Sequence, residues 1–293
     1  MRRYGAVRGL AIASSCLAFA WMPARASIAL SLPPPSGAAT IGSVSLHLVD
    51  RARWDPLAPV REHRSLMVTL WYPARKSNAR AAPYLDGGTA RVVDSELDVA
   101  PGTFESAHSH ARNEAAVAAP GGRGYPVVVY SPGFGSWRNS STALTEELVS
   151  HGFVVVTVDH PFDGAAVEFP DGTIVKAKPL ALPDTTKALT YNAWYAMVQP
   201  LLAVRVADIR FVIDELAALD AGRNPDVERH PLPVRLAGAL DLHRIGMFGQ
   251  SLGGATMAQV MRTDKRIRAG LSLDGPIPGT PGTACIEPQR AEL

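Results

Sequence analysis

Two unbroken apolar runs in the middle of the chain predict buried β-strands. Residues 125–135 read YPVVVYSPGFG and residues 153–161 read FVVVTVDHP. Between them, residues 140–152 carry Ser and Thr near the start and Gly152 just past the end, which is typical of a helix. Strands that are apolar on both faces suit a parallel sheet covered by helices. These segments therefore predict a β-α-β unit.

Further segments extend this alternation of strands and helices. Residues 41–50 alternate apolar and polar positions, as a half-buried strand does. The other predicted elements are strands at 66–74, 241–248 and 266–275, a hairpin over 167–175 that turns at Asp171-Gly172, a short helix near 90–100, a helix at 201–219 that begins at Pro200, and a helix at 256–262. Residues 75–124 are otherwise predicted as loop. The pattern predicts an α/β fold with a mostly parallel sheet between helices.

The first residues have the pattern of an export signal. Arginines precede an apolar stretch at residues 10–22, which is shorter than an ordinary membrane span. Ala24-Arg25-Ala26 fits a cleavage site. We predict a signal peptide over 1–26, a Pro-rich lead-in over 27–40, a mature chain without an integral membrane span, and export to the periplasm or the medium. An uncleaved membrane anchor is the alternative.

Charge and cysteine content narrow the possible partners. The formal net charge of +2 becomes −2 without the four arginines of residues 1–26. Such a chain has no electrostatic basis for binding nucleic acid or an anionic membrane. Of its two cysteines, Cys16 and Cys285, the mature chain keeps only Cys285, which either stays free or has lost its partner.

A glycine-flanked serine stands where a predicted strand meets a predicted helix. Gly249, Ser251 and Gly253 form the pattern G-x-S-x-G. A strand that turns at once into a helix strains the serine and exposes its hydroxyl, and the glycines let the two elements approach. The helix N-terminus also points backbone N–H groups at a reacting oxygen. Ser251 is therefore predicted as a nucleophile, with an ordinary strand–helix turn as the alternative.

A nucleophilic serine requires an oxyanion hole and an acid. The N–H of Leu252 is the first predicted oxyanion donor, and Phe134 in the loop SPGFGSW after an earlier strand is the second. Asp274 follows the next strand, so its carboxylate would lie on the same sheet edge as Ser251 and could orient an imidazole. The alternative for Asp274 is a turn-initiating residue before Gly275.

A set of segments in this order resembles a known family. The segments are LWYPA, YSPGFGSWRN, LVSHGFVVVTVDHP, RVADIRFVIDEL, LDLHRIGMFGQSLGGAT and LSLDGP. Over residues 41–276 they resemble the α/β-hydrolases of the secreted platelet-activating factor acetylhydrolase group, isoform II. The SPGFG and SHGFVV segments are also similar to bacterial polyester hydrolases of the cutinase type.

The resemblance implies a fold, an activity and roles for the site residues. It implies an α/β-hydrolase domain over 41–293 that is incomplete at its C-terminus, and we predict that residues 161–240 cap the pocket. It implies a serine esterase that uses no metal or cofactor and cleaves short-acyl esters, or short or oxidised sn-2 chains of phospholipids, through an acyl-enzyme. Ser251 would be the nucleophile, Asp274 the acid, and Phe134 and Leu252 the oxyanion donors. Where the family usually has histidine before the nucleophile, this sequence has Gln250.

The catalytic histidine that the resemblance implies has no counterpart in this sequence. The family carries it some tens of residues beyond the acid, on a loop after a further strand, whereas all eight histidines here precede Ser251. We expect a C-terminally truncated chain or a frameshifted gene end that lacks the last strands, and a genuine short form is the alternative. A polyester or cutin-type hydrolase and a catalytically impaired relic remain open as alternative functions.

The remaining histidines and one charged pair have ordinary structural interpretations. His160 ends a strand on the catalytic edge, but the corresponding family position is not the base. His243 is predicted at the opposite sheet edge. His108 and His110 are predicted to lie in a solvated loop rather than a metal site. Arg205 and Asp208 are predicted to form an ion pair on the long helix.

Overall fold

The computed structural model describes residues 30–179 and 191–275. The predicted signal peptide over 1–26, both cysteines and the C-terminal coil lie outside these residues. No helix in the two described ranges combines the length and apolar character needed to cross a membrane.

The described chain folds into a large sheet, a separate hairpin and four helices. The strands are β1 (Thr40–Trp54), β2 (His63–Ala74), β3 (Ala81–Pro83), β4 (His108–Asn113), β5 (Tyr125–Ser131), β6 (Val154–Val158), β7 (Ala166–Glu168), β8 (Ile174–Lys176), β9 (Leu240–Gln250) and β10 (Ile267–Leu273). The helices are α1 (Gly87–Glu96), α2 (Thr142–Ser150), α3 (Tyr191–Asp220) and α4 (Leu252–Thr263).

Eight strands form the main sheet in the order β10-β9-β5-β6-β2-β1-β4-β3. The four strands β6, β5, β9 and β10 are parallel neighbours, whereas β2 joins them antiparallel through β6 and β1 pairs antiparallel with β2. The carboxyl ends of the parallel strands therefore meet at one sheet edge, where the loops after β5, β6, β9 and β10 come together. Strands β7 and β8 form a second sheet of two antiparallel strands.

Apolar residues cover both faces of the parallel strands. On one face, alternate residues of the strands pack with Ile209, Ile213 and Leu216 of α3 and Val260 of α4. On the other face, Val149 of α2 packs with residues that include Tyr130 and Val155. Strand residues that are apolar throughout are thus buried on both sides, as the unbroken runs predict. The predicted α/β fold with helices on both faces is confirmed.

Most predicted elements are confirmed, but the start of the long helix is wrong. The strands and helices around the β-α-β unit, the hairpin and Ser251 lie where the pattern indicates, within a few residues. Helix α3 begins at Tyr191 rather than at Pro200, which lies inside it. Proline cannot donate a hydrogen bond to the carbonyl four residues earlier, which makes it a common helix start. Here α3 continues through Pro200, with helical turns before and after it.

The segment predicted as loop contains two strands. Within residues 75–124, β3 and β4 extend the sheet beyond β1, and α1 begins a few residues before the predicted helix. His108 and His110 therefore lie on strand β4, between β1 and β3, and not in a loop. Only β3 and β4 supply this edge, and their alternation over three and six residues is too short to identify from the sequence.

The described part of the Pro-rich lead-in docks on the domain. Leu30 and Leu32 pack against an apolar cluster built around α1. The N–H of Ser36 donates to Glu147 of α2 at 2.8 Å. The N–H of Gly37 donates to the hydroxyl of Ser150 at 3.0 Å. The segment is therefore held to the surface before β1 begins.

Candidate active site

Ser251 occupies a strained turn between β9 and α4. Its backbone has φ 50° and ψ −117°, which is unfavourable for a residue with a Cβ atom. Its N–H donates to the carbonyl of Leu273 on the neighbouring strand β10 at 2.9 Å, and its own carbonyl accepts the N–H of Ala255. The serine is half-buried and caps α4 with no hydrogen bond from its side chain to the helix. Its hydroxyl is thus left free for chemistry.

The flanking glycines allow this turn to pack against the central strand. A Cβ atom at Gly253 would overlap the carbonyl oxygen of Ser131 at the end of β5. A Cβ atom at Gly249 would overlap the backbone of Gly253. Any side chain at these two positions would force β9, α4 and β5 apart. The G-x-S-x-G pattern therefore reflects backbone packing here, as the sequence predicts.

The loop after β5 brings Phe134 beside the serine turn. The side chains of Phe134 and Leu252 pack into one apolar cluster with Val198 and Leu202 of α3. Within the described residues, no acceptor binds the N–H of Phe134. Gln250, the residue at the family's histidine position, places its side-chain oxygen over Gly133 of the same loop. The two predicted oxyanion residues are therefore brought together by packing.

Asp274 lies next to the serine turn, although its carboxylate is exposed. It follows β10 with φ 55°, and β10 pairs with β9 so that Leu273 lies opposite Gln250. Gly275 is pressed against the carbonyl of Ser251, because a Cβ atom there would lie 2.5 Å from that oxygen. Among the described residues, none donates a hydrogen bond to the Asp274 carboxylate. Its role as the acid stays a prediction.

His160 is buried and committed to other partners. One of its ring nitrogens, Nδ1, lies 2.9 Å from Asp208, and the other, Nε2, lies 3.0 Å from the hydroxyl of Ser131. Burial, helped by the charge of Arg205, lowers the pKa of His160 in spite of the Asp208 carboxylate. The imidazole is therefore neutral and has no free nitrogen for Ser251. Throughout the described chain, no histidine is hydrogen-bonded to Ser251.

Three further histidines, His243, His110 and His108, are held by contacts outside the serine turn. His243 is exposed near the start of β9, at the end of the strand opposite Ser251, as predicted. His110 lies on β4 and its Nδ1 is 2.7 Å from Glu146 of α2. His108 on the same strand has its Nδ1 2.9 Å from the carbonyl of Ser106.

The predicted ion pair between Arg205 and Asp208 is wrong. Both side chains are buried on α3, but Arg205 pairs with Asp163 in the loop after β6. Asp208 instead accepts hydrogen bonds from Arg64 of β2, Arg53 of β1 and His160. Although the two residues are about one turn apart on α3, Arg205 reaches the loops after β5 and β6, whereas Asp208 reaches side chains of β1 and β2.

The carboxylate of Asp208 is the centre of a buried network. Burial opposes its ionisation, but the charge of Arg64 and the hydrogen bonds from His160 and Arg64 outweigh this cost and hold the pKa of Asp208 far below its usual range. Arg64 also donates to Asp55 at 2.8 Å and to the carbonyl of Pro161 at 3.0 Å. Arg64 and Asp163 were not predicted as part of the site, because each lies far along the chain from its partners. The one sequence signal for them is their position at the end of an apolar strand, Arg64 before LMVTLWYPA and Asp163 after FVVVTVDHP.

Among the described residues, one group offers ligand atoms to a metal ion. Ligand atoms of Asp226, Glu228 and His230 lie within 4.8 Å of one another. Asp226 is already engaged, since its two oxygens accept the N–H groups of His47 and His230. Glu228 lies 2.8 Å from Nδ1 of His47. These contacts fasten the loop after α3 to β1.

The combination of parallel sheet, strained serine turn and apposed backbone loop defines an α/β-hydrolase. A model of the family described as platelet-activating factor acetylhydrolase, isoform II, matches residues 58–277. The chain therefore belongs to this family.

Named relatives agree with the family. A probable 1-alkyl-2-acetylglycerophosphocholine esterase of Arthroderma benhamiae is 27% identical over 258 residues, which are 83% of this chain and 58% of that protein. The platelet-activating factor acetylhydrolase of Cavia porcellus is 28% identical over 164 residues, which are 52% of this chain and 35% of that protein. The chain thus spans between about a third and three-fifths of the length of these curated relatives.

A solved esterase structure has a similar fold. The ferulic acid esterase of Streptomyces cinnamoneus is 35% identical in sequence, with a TM-score of 0.65. The likeness covers 85% of this chain and 63% of that one.

We expect Gly253→Ala to lower the free energy of unfolding by about 1–3 kcal/mol, because the new methyl group overlaps the Ser131 carbonyl. Urea unfolding measures the change. Gly121→Ala is the matched control, since a Cβ atom there meets nothing within 4 Å. Equal stabilities for the two variants would contradict the packing argument.

We expect His160 to make stability depend on pH below about 6.5. Its pKa is lower in the folded than in the unfolded chain, so the unfolded chain binds the proton first and the free energy of unfolding falls as the pH drops. The slope attributable to His160 is at most about 1.4 kcal/mol per pH unit. Urea unfolding of wild type and His160→Gln between pH 7.5 and 5 measures it.

The matched control for this pH series is His243→Gln, which removes an exposed histidine. It should keep the wild-type slope, whereas His160→Gln should flatten it. The interpretation fails if both variants retain the wild-type pH dependence.

Proposed function

We propose that this protein is a serine carboxylic-ester hydrolase with Ser251 as its nucleophile. The observation that carries the proposal is the backbone of Ser251, which is held at φ 50° between β9 and α4 with its hydroxyl uncommitted. A folded chain retains such strain where the surroundings enforce it, and it is concentrated at functional sites. The family membership and the esterase names of the relatives support the same conclusion.

The proposed reaction begins with attack of the Ser251 hydroxyl on the ester carbonyl. The carbonyl oxygen becomes an oxyanion, and the N–H groups of Phe134 and Leu252 would stabilise it, since one N–H is uncommitted and the other opens helix α4. The C–O bond of the ester breaks, the proton released by Ser251 ends on the departing oxygen so that the alcohol leaves, and the acyl-enzyme that remains is hydrolysed by water to the acid. These backbone donors require no metal or cofactor for the step.

Asp274 is the proposed acid of the site. Its exposed carboxylate stands on the edge of the sheet that carries Ser251, where it could orient an imidazole and stabilise its protonated form. His160 does not serve as that imidazole, because Ser131 and Asp208 occupy both of its nitrogens.

Short-acyl esters, including phospholipids with short or oxidised sn-2 chains, are the proposed substrates. The support is that the relatives are named for acetyl esters of glycerophosphocholine and of platelet-activating factor. The partly buried side chains of Phe134 and Met197, which pack on the buried apolar cluster of Leu252 and the first half of α3, would contact an apolar part of such an ester. We also propose that residues 161–240, which contain β7, β8 and α3, cap the pocket, and that residues 1–26 direct export.

Esters of ferulic acid are a second candidate substrate class. The solved relative with 35% identity is a ferulic acid esterase, which is a higher identity than that to the relatives quoted above. A polyester or cutin-type substrate remains a further alternative.

We expect Ser251→Ala to lose esterase activity by at least about 10³-fold, because the nucleophile is removed while the fold is retained. A fluorophosphonate probe followed by peptide mass spectrometry should locate the label on Ser251 in the wild type. Ser95→Ala, which changes an exposed serine on α1, is the control and should label like the wild type. Labelling of Ser251→Ala at the wild-type rate would refute the assignment.

We expect short-acyl esters to be hydrolysed with the highest kcat/KM. The panel is p-nitrophenyl acetate, a phosphatidylcholine with an sn-2 acetyl chain, methyl ferulate and a polyester film. A kcat/KM for methyl ferulate at least tenfold above that for the acetyl phospholipid would instead assign the chain to the second substrate class.

A further inference from the structure

One buried arginine holds the loop that carries the Phe134 amide. Arg205 is fully buried on α3, and its five N–H groups have five acceptors. Two of these acceptors are the carboxylate oxygens of Asp163 and one is the hydroxyl of Ser131. The remaining two are the carbonyls of Pro132 and Gly133. The guanidinium therefore binds the backbone at the start of the loop after β5.

The bond to the Gly133 carbonyl determines where the Phe134 amide points. This carbonyl and the N–H of Phe134 belong to the same peptide group, and in a planar trans peptide they point in opposite directions. Because Arg205 draws the carbonyl towards α3, the N–H of Phe134 is directed away from α3. The positive charge also polarises this peptide group, which makes its N–H a stronger donor.

Asp163 holds the other end of the same loop. Its backbone carbonyl accepts the N–H of Gly135 at 2.9 Å, while its side chain holds Arg205 in a bidentate pair. Phe134 is therefore fixed on both sides, through Gly133 by Arg205 and through Gly135 by Asp163. Because Ser131 bonds both Arg205 and His160, the end of β5 is tied to the buried network around Asp208 as well.

We propose that Arg205 is a positioning residue for the oxyanion hole, which it forms indirectly by orienting the Phe134 N–H. This inference rests on the proposed function, since it assigns the Phe134 amide to the oxyanion. Any buried guanidinium needs acceptors for all five of its N–H groups, so the informative feature is which acceptors it binds. Three of the five N–H groups of Arg205 bind the segment 131–133, which leads directly into Phe134.

The variants are Arg205→Met, Arg205→Lys and the matched control Arg64→Met. Arg64 is equally buried and pairs with two carboxylates, but its carbonyl partner is Pro161 and not the loop after β5. Both Met variants therefore lose a buried guanidinium. Lysine at 205 keeps the charge but not the planar fork that serves Asp163 and two carbonyls together.

The first readout is the rate of Ser251 phosphonylation by a fluorophosphonate, measured well below the unfolding temperature of each variant. Arg205→Met should slow labelling by roughly 10- to 100-fold relative to Arg64→Met. A misplaced oxyanion donor stabilises the transition state less, while binding of the reagent is little changed. With p-nitrophenyl acetate the loss should fall on kcat, while KM stays within about twofold. Arg205→Lys should lose less than Arg205→Met.

The second readout does not depend on catalysis. The chain has eight phenylalanines, so selective ¹⁵N labelling of Phe yields few amide signals, and Phe134→Leu identifies the signal of residue 134. Arg205→Met should shift or broaden that signal more than Arg64→Met does, because Arg64 reaches Ser131 only indirectly, through Asp208 and His160. If Arg205→Met does not fold, Arg205→Lys carries both readouts.

The outcomes separate this inference from the proposed function. A folded Arg205 variant with the wild-type labelling rate and an unmoved Phe134 signal overturns the positioning role. Equal losses in Arg205→Met and Arg64→Met overturn it too, because a general loss of stability would then explain both. If the wild type itself is not labelled at Ser251, the proposed function fails, and the Phe134 signal still decides whether Arg205 holds the amide.

Discussion

The contact between the backbone of α4 and the end of β5 is the constraint on which the site depends. Gly253 lies so close to the carbonyls of Ser131 and Pro132 that no side chain fits between them. This contact places the start of a helix directly beside the loop that follows a central strand. It also forces Ser251 into its left-handed turn, since β9 must reverse within one residue to enter α4. The backbone strain at Ser251 is thus offset by the packing of β5, β9 and α4 against one another.

Buried charges form a second level of organisation beneath this turn. Arg205 with Asp163, and Arg64 with Asp208, link α3 to the ends of β2, β5 and β6. Removing such charges from water is costly, and a hydrophobic replacement is often as stable, so these pairs are weak evidence for stability alone. Their hydrogen bonds to backbone carbonyls are directional, which contacts of apolar side chains are not. Arg205 thereby holds the loop after β5, and Arg64 holds the loop after β6. His160 also holds this region, because its neutral imidazole is hydrogen-bonded through both ring nitrogens, to Ser131 and to Asp208.

Membership of the platelet-activating factor acetylhydrolase family, isoform II, agrees with this architecture. The relatives differ in their named substrates, from acetyl esters of phospholipids to ferulic acid esters, while the likeness in fold to the ferulic acid esterase extends over most of this chain. In this chain the first half of α3 packs against Phe134 and Leu252, the two residues that flank the serine turn.

Elements with a local signal could be predicted from the sequence alone. The unbroken apolar strands, the glycines around Ser251 and the apolar spacing of α3 predicted the α/β fold and the strand–turn–helix at the serine, because burial on both faces and close backbone approach restrict which residues fit. The partners of the buried charged residues could be identified only from the tertiary structure. Arg205 and Asp208 are neighbours on one helix, yet each pairs with a residue more than forty positions away in sequence. The short strands β3 and β4 and the continuation of α3 through Pro200 were likewise decided by contacts between distant segments, since neither leaves a periodic pattern of its own.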